Sequence, residues 1–145
     1  AYFVPTKDEM RDLEAAARRG VDVRLMLPGT SDSALALAVG RSDYGGLLKA
    51  GVKIYELQDG LLHSKTAVID DVWSTIGSSN FDHRSILFND EVDAIVLGRD
   101  TGRQLEAQFE HDEAAARPVT LKEWEDRPFG ERVKEFYSRF IETLL

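Results

Sequence analysis

A histidine and a lysine stand two residues apart in the segment His63-Ser64-Lys65. In an extended strand, side chains two apart point to the same face, so His63 and Lys65 are predicted to project together. Lysine binds anionic oxygens as a charged donor, and histidine acts as a nucleophile or an acid near neutral pH. The pair therefore suits phosphate chemistry, with Lys65 on the non-bridging oxygens and His63 at the phosphorus or the leaving oxygen. Alone, a His-x-Lys pair is weak evidence, because most such pairs are solvent-facing.

The residues that follow the pair complete a longer pattern. Asp70 comes after four intervening residues, and Gly77-Ser78-Ser79-Asn80 comes after six more. Gly77 permits close backbone approach, and Ser78 and Asn80 are short polar donors in a predicted loop. The string His-x-Lys-x4-Asp-x6-Gly-Ser-x-Asn fixes six positions. Its match by chance at a given start is on the order of 10⁻⁸, so the pattern is specific.

The elements that position these residues follow from hydrophobic periodicity and turn signals. In the first half, strands are predicted at 2–5, 21–27 and 52–55, and helices at 6–19, 34–39 and 44–50. In the second half, strands are predicted at 63–69, 72–76 and 91–97, and helices at 104–116 and 130–145. The turn at Asp70-Asp71 makes the strands on either side antiparallel. This order predicts an α/β layered sandwich with a central mixed β-sheet flanked by helices.

Local signals set several of these boundaries. Thr6 and Glu9 are spaced as a capping box for the first helix. Residues 30–32 offer caps for the second helix, and Gly40 and Asp43 are predicted to break the helical stretch that follows. Gly51 ends the third helix, as glycine often does.

Composition bounds the class of protein. The 145 residues include 18 lysines and arginines and 26 aspartates and glutamates, which gives a net charge of −8. The 43% hydrophobic content and the length fit one folded domain over residues 1–145. Without cysteine, a disulfide scaffold, a zinc ribbon and a thiol nucleophile are excluded. The acidic balance disfavours broad nucleic-acid binding, and the three histidines are too scattered to predict a metal site.

The pattern from His63 to Asn80 resembles the defining motif of the phospholipase D superfamily. The whole stretch 61–80 is similar to bacterial cardiolipin synthases, in their second, C-terminal half. The similarity extends to further segments: Tyr2-Phe3-Val4-Pro5, residues 19–24, Gly51-Val52-Lys53-Ile54-Tyr55, Asp82-x-Arg84-Ser85 and Asn89-Asp90-Glu91-Val92. The resemblance thus covers nearly the whole chain, with the last 25 residues or so least distinctive.

The resemblance implies a metal-free and cofactor-free reaction in which two such motifs build one active site. One histidine attacks the phosphodiester and forms a phosphohistidine. The other protonates the leaving alcohol and then deprotonates the incoming alcohol or water. A C-terminal motif implies the acid/base role for His63, with the nucleophile as the alternative. Lysine and asparagine donors stabilise the charge that develops on the phosphate oxygens.

The resemblance also assigns roles to the other residues of the motif. Lys65 and Asn80 are expected to bind the substrate phosphate. Ser78 is expected either to donate weakly to the phosphate or to support the residues that bind it. Glu91 matches the position whose carboxylate holds the second ring nitrogen of the histidine, as the aspartate does in serine hydrolases. Asp70 belongs to the catalytic motif and is expected to order the turn and neighbouring backbone.

Only one His-x-Lys is present, so the chemistry needs a second motif. Our first hypothesis is a domain excised from a two-motif protein, a view that the start at Ala1 without methionine favours over simple methionine removal. It would transfer phosphatidyl groups, with phosphatidylglycerol as donor and acceptor, or hydrolyse phospholipids. It would act at the bacterial inner membrane, peripherally or through an anchor outside this soluble chain. The alternatives are a homodimeric one-motif phosphodiesterase or nuclease, which the −8 charge disfavours, and an inactive isolated half domain.

Overall fold

Strands and helices alternate along the first half of the chain and strands dominate the second, as the periodicity predicts. The computed structural model describes residues 3–31, 33–82 and 88–128. The first half contains β1 Phe3–Val4, α1 Lys7–Arg18, β2 Arg24–Pro28, α2 Ala34–Ser42, α3 Tyr44–Ala50 and β3 Lys53–Leu57. The second half contains β4 Thr66–Ile69, β5 Trp73–Gly77, β6 Phe81–Asp82, β7 Asp93–Leu97, α4 Arg99–Ala115, β8 Arg117–Val119 and α5 Leu121–Glu125.

The strands form mixed and antiparallel ladders. β2 runs parallel to β3, and β8 joins the other edge of β3 in the antiparallel sense. β5 lies between β4 and β7 and is antiparallel to both. The short strands β1 and β6 pair in parallel. The predicted α/β layered class is confirmed, although the hydrogen bonding of the described residues divides the strands among three sheets rather than one.

The sheet of β2, β3 and β8 separates two helical layers. Its core face presents Leu27, Ile54 and Val119 to Tyr44 and Leu47 of α3. α1 and α5 extend this apolar layer. On the opposite face, Arg24 reaches α4, with 3.3 Å from its guanidinium to the carboxylates of both Glu106 and Glu113 and 5.5 Å to the ring centroid of Phe109. The two faces of one sheet therefore hold the helices by different means, apolar packing and ion pairing.

Some predicted boundaries of the first half are confirmed and others are wrong. Thr6 and Glu9 form the expected capping box, and Gly51 ends α3 in the left-handed conformation. The cap of α2 is Ser33, one residue beyond the predicted stretch, because its hydroxyl accepts from the Ala36 N–H. Gly40 does not break this helix. It is needed for close packing, since a Cβ there would lie 2.4 Å from the Phe3 carbonyl oxygen.

The strand predictions at 21–27 and 52–55 are each shifted. β2 begins at Arg24, and Val21 remains 53% exposed, so the apolar alternation runs past the true start of the strand. β3 spans Lys53–Leu57 and so continues two residues beyond the prediction. In both cases the parallel ladder between β2 and β3, rather than the local apolar pattern, decides where the strands end.

The second half shows larger differences. The strands predicted at 63–69 and 91–97 start later, at Thr66 and Asp93. Helix α4 begins at Arg99, five residues before the prediction, and includes Gly102, where a Cβ would lie 2.0 Å from the Asp71 carbonyl oxygen. β6, β8 and α5 were not predicted, since each is too short for a periodic pattern. The helix predicted at 130–145 lies outside the described residues.

A buried carboxylate joins β3 to its neighbours. Glu56 is 0% exposed, and its two oxygens accept from Arg41 Nε of α2 at 2.9 Å and from Arg117 Nη2 of β8 at 2.8 Å. Burial raises the pKa of Tyr44 well above its ordinary value, and the charge of Glu56 adds to this increase. Because each carboxylate oxygen accepts from an arginine, the buried negative charge of Glu56 is compensated by adjacent positive charges.

Replacing Glu56 by glutamine should lower the stability of the fold substantially. The substitution removes the charge that compensates Arg41 and Arg117. We expect the free energy of unfolding to fall by about 3 kcal/mol, the low end of the range for broken buried pairs, because the arginines are partly solvated. Urea denaturation followed by circular dichroism measures the change.

The matched control is Glu125→Gln, whose carboxylate pairs with Lys49 at 3.4 Å. Both of these side chains are more than half exposed. Its loss should cost less than about 1 kcal/mol. Equal losses of unfolding free energy in the two variants would contradict the larger contribution expected from the Glu56 ion pairs.

Candidate active site

His63 and Lys65 stand side by side immediately before β4. The Gly77 N–H donates to the Lys65 carbonyl at 3.0 Å, which extends the β4–β5 ladder to the lysine. The Lys65 Nζ lies 2.9 Å from His63 Nδ1 and 3.2 Å from Nε2, and it donates to the His63 carbonyl at 2.8 Å. The two side chains are therefore together, as their spacing predicts, although both residues precede the strand itself.

The ammonium group of Lys65 is less hydrated than a surface lysine. Burial lowers its pKa, while the negative charges of Glu91 and Asp82 act in the opposite direction. Among the ion pairs of the described residues, none engages Lys65 directly. A partly desolvated cation beside an exposed imidazole has the character of an anion-binding group.

The loop after β5 is fastened to the segment before β7. The Ser78 N–H donates to the Val92 carbonyl at 3.1 Å, and the Val92 N–H donates back to Ser78 Oγ at 3.0 Å. The Ser78 hydroxyl donates to a Glu91 carboxylate oxygen. The hydroxyl of Ser79 donates to Asp93 Oδ2, and the Ser79 N–H lies 3.3 Å from Oδ1 of the same residue. Two serines thus face two carboxylates across this contact.

Asn80 ends this loop with an incompletely satisfied side chain. Its Oδ1 is buried and has no hydrogen-bond partner. Such a group costs about 1–3 kcal/mol, and the rarity of buried unpaired polar atoms makes each one notable. The next residue, Phe81, stacks on Phe3 with ring centroids 5.7 Å apart and planes 6° from parallel. The fold therefore tolerates an unpaired amide oxygen at the end of this loop.

Glu91 lies with Ser78 and Asn89, which donate to its two carboxylate oxygens. A hydrogen bond from the His63 ring to Glu91 is not among those of the described residues. Because its hydroxyl proton is engaged by Glu91, Ser78 cannot donate that proton to a phosphate in this arrangement. Glu91 therefore supports the loop here, and its expected contact with His63 remains a prediction.

Asp70 sits at the far end of β4 from Lys65. It opens the β4–β5 turn with φ of 51°, Asp71 follows with φ of 56°, and the Val72 N–H donates to the Ile69 carbonyl at 3.1 Å. The four residues of β4 separate Asp70 from Lys65, which puts the two about 16 Å apart along the strand. This position fits the expected role in ordering the turn and keeps the carboxylate away from the candidate site.

The remaining histidines lie elsewhere. His83 falls outside the described residues, and His111 is exposed on α4. Within the described ranges, no group of three or more histidines, aspartates or glutamates is arranged to hold a metal ion. None of the helices in these ranges is both long and apolar enough to cross a membrane.

Sequence reasoning missed the partner of Ser79. Asp93 lies two residues after Glu91, and both side chains meet the same loop. This i, i+2 repeat of carboxylates was a usable signal, because alternate residues of an extended chain share a face. What the sequence does not show is that the loop of residues 78–80 lies alongside, since this contact spans 14 positions.

The sheet face that carries Lys65 also carries exposed apolar side chains. By alternation, Lys65 shares its face of the sheet with Ile69, and the ladder places Ile95 and Leu97 on that face across β5. These three apolar side chains are 56%, 64% and 74% exposed. The term "apolar sheet face" denotes Ile69, Ile95 and Leu97 below.

Comparisons with known proteins agree with one another. A family model described as "Cardiolipin synthase, PLD-like domain" matches residues 1–113. The chain is 40% identical over 144 residues to cardiolipin synthase of Geobacillus thermodenitrificans and 38% identical over 145 residues to cardiolipin synthase A of Proteus mirabilis. Each match covers 99% of this chain but only 29% and 30% of those relatives. The chain therefore spans less than a third of their length.

The fold also has a counterpart among solved structures. The phospholipase D family member Nuc from Salmonella typhimurium superposes with a TM-score of 0.70 at 20% sequence identity. The match covers 83% of this chain and 78% of Nuc. This likeness supports the architecture described above.

Replacing Gly77 by alanine should damage the site. A Cβ at this position would lie 1.7 Å from Asp93 Oδ1 and 2.7 Å from the Asp93 Cα, so the β5–β7 ladder must shift. We expect a loss of about 1–3 kcal/mol in the free energy of unfolding, as for overpacked positions. Thermal denaturation measures it.

Gly45→Ala provides the comparison within α3. A Cβ there meets only the Trp124 ring at ordinary contact distances of 3.6 and 3.7 Å. Alanine is a better helix former than glycine, so this variant should be neutral or slightly more stable. A harmless Gly77→Ala would show that the close approach of Asp93 is unimportant.

Proposed function

The chain belongs to the cardiolipin synthase, PLD-like domain family of the phospholipase D superfamily, and from this premise we propose that it forms one half of a phosphatidyl-transfer active site. The contact of the Lys65 ammonium with the His63 ring is the observation that supports this most directly. The substrate would be a phospholipid such as phosphatidylglycerol. With an alcohol as acceptor the reaction is transfer, and with water it is hydrolysis.

Lys65 is the proposed anchor for the phosphate. Its pKa is lowered by burial, so the ammonium gains most when an anion replaces the lost hydration. In the structure its Nζ contacts His63, and a bound phosphate would offer stronger, charged acceptors. Moving Lys65 onto the non-bridging oxygens would free the imidazole. Asn80 would add a neutral donor where negative charge develops.

His63 is the proposed acid/base. Lys65 Nζ lies within hydrogen-bonding distance of both ring nitrogens of His63. A phosphate that drew the ammonium away would leave the ring free to exchange a proton with the substrate. A histidine from a second motif would attack the phosphorus, forming an N–P bond while the P–O bond to the leaving alcohol breaks. His63 would give its proton to that oxygen and recover one from the incoming alcohol or water. The exchanged role, with His63 as nucleophile, is the alternative.

The second motif would come from a second half of the same superfamily. The relatives are more than three times as long as this chain, which leaves room for another domain. The apolar sheet face supports this partner, because a second half that docked on it would bury three exposed apolar side chains on the face that also carries Lys65. The whole protein is proposed to act at the bacterial inner membrane, peripherally or through an anchor in regions outside this chain.

Two alternatives keep the same chemistry or none. A homodimeric one-motif phosphodiesterase or nuclease is favoured by the match to Nuc, of which 78% is covered by a chain of this size. The net charge of −8 opposes it twice, since two copies repel one another and polyanionic nucleic acid is repelled as well. The third possibility is an isolated half that folds but has no activity.

Substituting His63 by alanine tests the proposal. In a protein that contains this chain together with its second motif, loss of an acid/base should lower phosphatidyl transfer about 10²–10⁴-fold. The assay is cardiolipin formation from radiolabelled phosphatidylglycerol in vesicles. His111→Ala, on the exposed face of α4, should retain full activity.

The covalent intermediate separates the two roles of His63. If His63 is the acid/base, the alanine variant still accumulates a phosphorylated enzyme, because the nucleophile is intact. If His63 is the nucleophile, the alanine variant forms no radiolabelled covalent enzyme intermediate. Unchanged turnover in His63→Ala would remove this residue from the mechanism. Cleavage of single-stranded DNA in place of phosphatidylglycerol would favour the nuclease alternative.

A further inference from the structure

We propose that Asp93 is a positioning residue that fixes the backbone on which Asn80 is presented. The motif assigns no role to Asp93, and the catalytic effect of this residue rests on the proposed function. In the pairing of β5 with β7, Asp93 lies directly opposite Gly77. Since Gly77 has no side chain, the carboxylate of Asp93 occupies the space above it, where a Cβ would approach Oδ1 to 1.7 Å.

From this place the carboxylate reaches the loop beyond the strand. Asp93 Oδ1 accepts from the Ser79 N–H at 3.3 Å, and Oδ2 accepts from the Ser79 hydroxyl. One carboxylate thus binds both the main chain and the side chain of a single residue. A two-point, charge-assisted contact restricts the backbone torsions of Ser79 more than either bond alone. The restricted residue immediately precedes Asn80.

Asn80 depends on its neighbours for its placement. Its Oδ1 is buried without a hydrogen-bond partner, so no bond to this oxygen fixes the amide. On one flank Asp93 holds Ser79. On the other flank Phe81 pairs with Phe3 in the β1–β6 ladder and stacks on its ring. The backbone that carries Asn80 is therefore held at both flanking residues, and Asp93 provides one of these anchors.

Removing the carboxylate should displace Asn80 without unfolding the chain. Asp93→Ala leaves Ser79 with no acceptor at either atom, while Asp93→Asn keeps one acceptor oxygen at the same place and serves as the conservative rescue. Asp100→Ala, in the first turn of α4, removes a carboxylate of the same type away from this loop and is the matched control.

The first experiment measures the contact between Asp93 and Ser79 directly and requires no enzymatic activity. In ¹H–¹⁵N spectra of this chain, Asp93→Ala should abolish hydrogen-exchange protection of the Ser79 amide and collapse the dispersed side-chain NH₂ pair of Asn80. Asp93→Asn should restore most of both signals, and Asp100→Ala should leave them unchanged. Unaltered Ser79 protection and an unaltered Asn80 pair in Asp93→Ala would overturn the proposal.

The second experiment tests whether the contact between Asp93 and Ser79 affects catalysis through Asn80. In the two-motif protein, Asp93→Ala should lower kcat for phosphatidyl transfer about 10–100-fold with little change in KM, as expected for small misplacement of a catalytic group. In an Asn80→Ala background the same change should alter kcat less than about twofold, because coupled residues are not additive. Fully additive effects would refute positioning through Asn80.

The two experiments fail independently. If the unaltered two-motif protein transfers no phosphatidyl group, the proposed function fails, and the spectra still decide whether Asp93 fixes Asn80. If transfer is present and the spectra of Asp93→Ala match those of the unaltered chain, the positioning role fails alone.

Discussion

The register of β5 between β4 and β7 is the constraint on which the candidate site depends. It aligns Lys65, Gly77 and Asp93 in one row across the sheet, with the lysine at one side and the carboxylate at the other. The middle position must lack a side chain, because Asp93 fills the space that a Cβ would take. A shift by one residue would turn every side chain of a strand to the opposite face. The same ladder therefore places the cation, fixes the loop and orients the apolar sheet face.

Polar groups are satisfied very differently in the two parts of the fold. Glu56, fully buried under α2 and β8, has an arginine on each oxygen and holds the β2–β3–β8 sheet to its neighbours. Among the candidate site residues, by contrast, Asn80 keeps a buried oxygen without a partner, and Lys65 contacts an imidazole rather than a carboxylate. Unpaired groups are costly in a low-dielectric environment, and they gain most from a ligand that completes them. The well-satisfied part can support this cost.

The sequence is sufficient for the motif and the α/β class, because both rest on local patterns. Strand alternation predicted that His63 and Lys65 lie together, which they do although both precede β4, and the turn at Asp70-Asp71 was predicted from its residue types. Short strands such as β6 and β8 are set by partners far along the chain, so no local pattern announces them. Gly40 was predicted to break a helix, yet it serves a close backbone contact that only the folded chain reveals, as Gly102 does inside α4. The Asp93–Ser79 contact was not predicted from the sequence for the same reason.

Closing the site and covering the apolar sheet face are one event in the proposed pair of halves. Ile69, Ile95 and Leu97 lie on the same face of the sheet as Lys65, so a second half that extended from them to the lysine would also remove water from around the ammonium. Desolvation alone would lower the pKa of Lys65 further and weaken its charge. A phosphate entering the closed site reverses this effect, because the anion stabilises the protonated amine. In the proposed pair, the apolar contact would provide the energy of association, and the substrate would supply the charge that the closed site lacks.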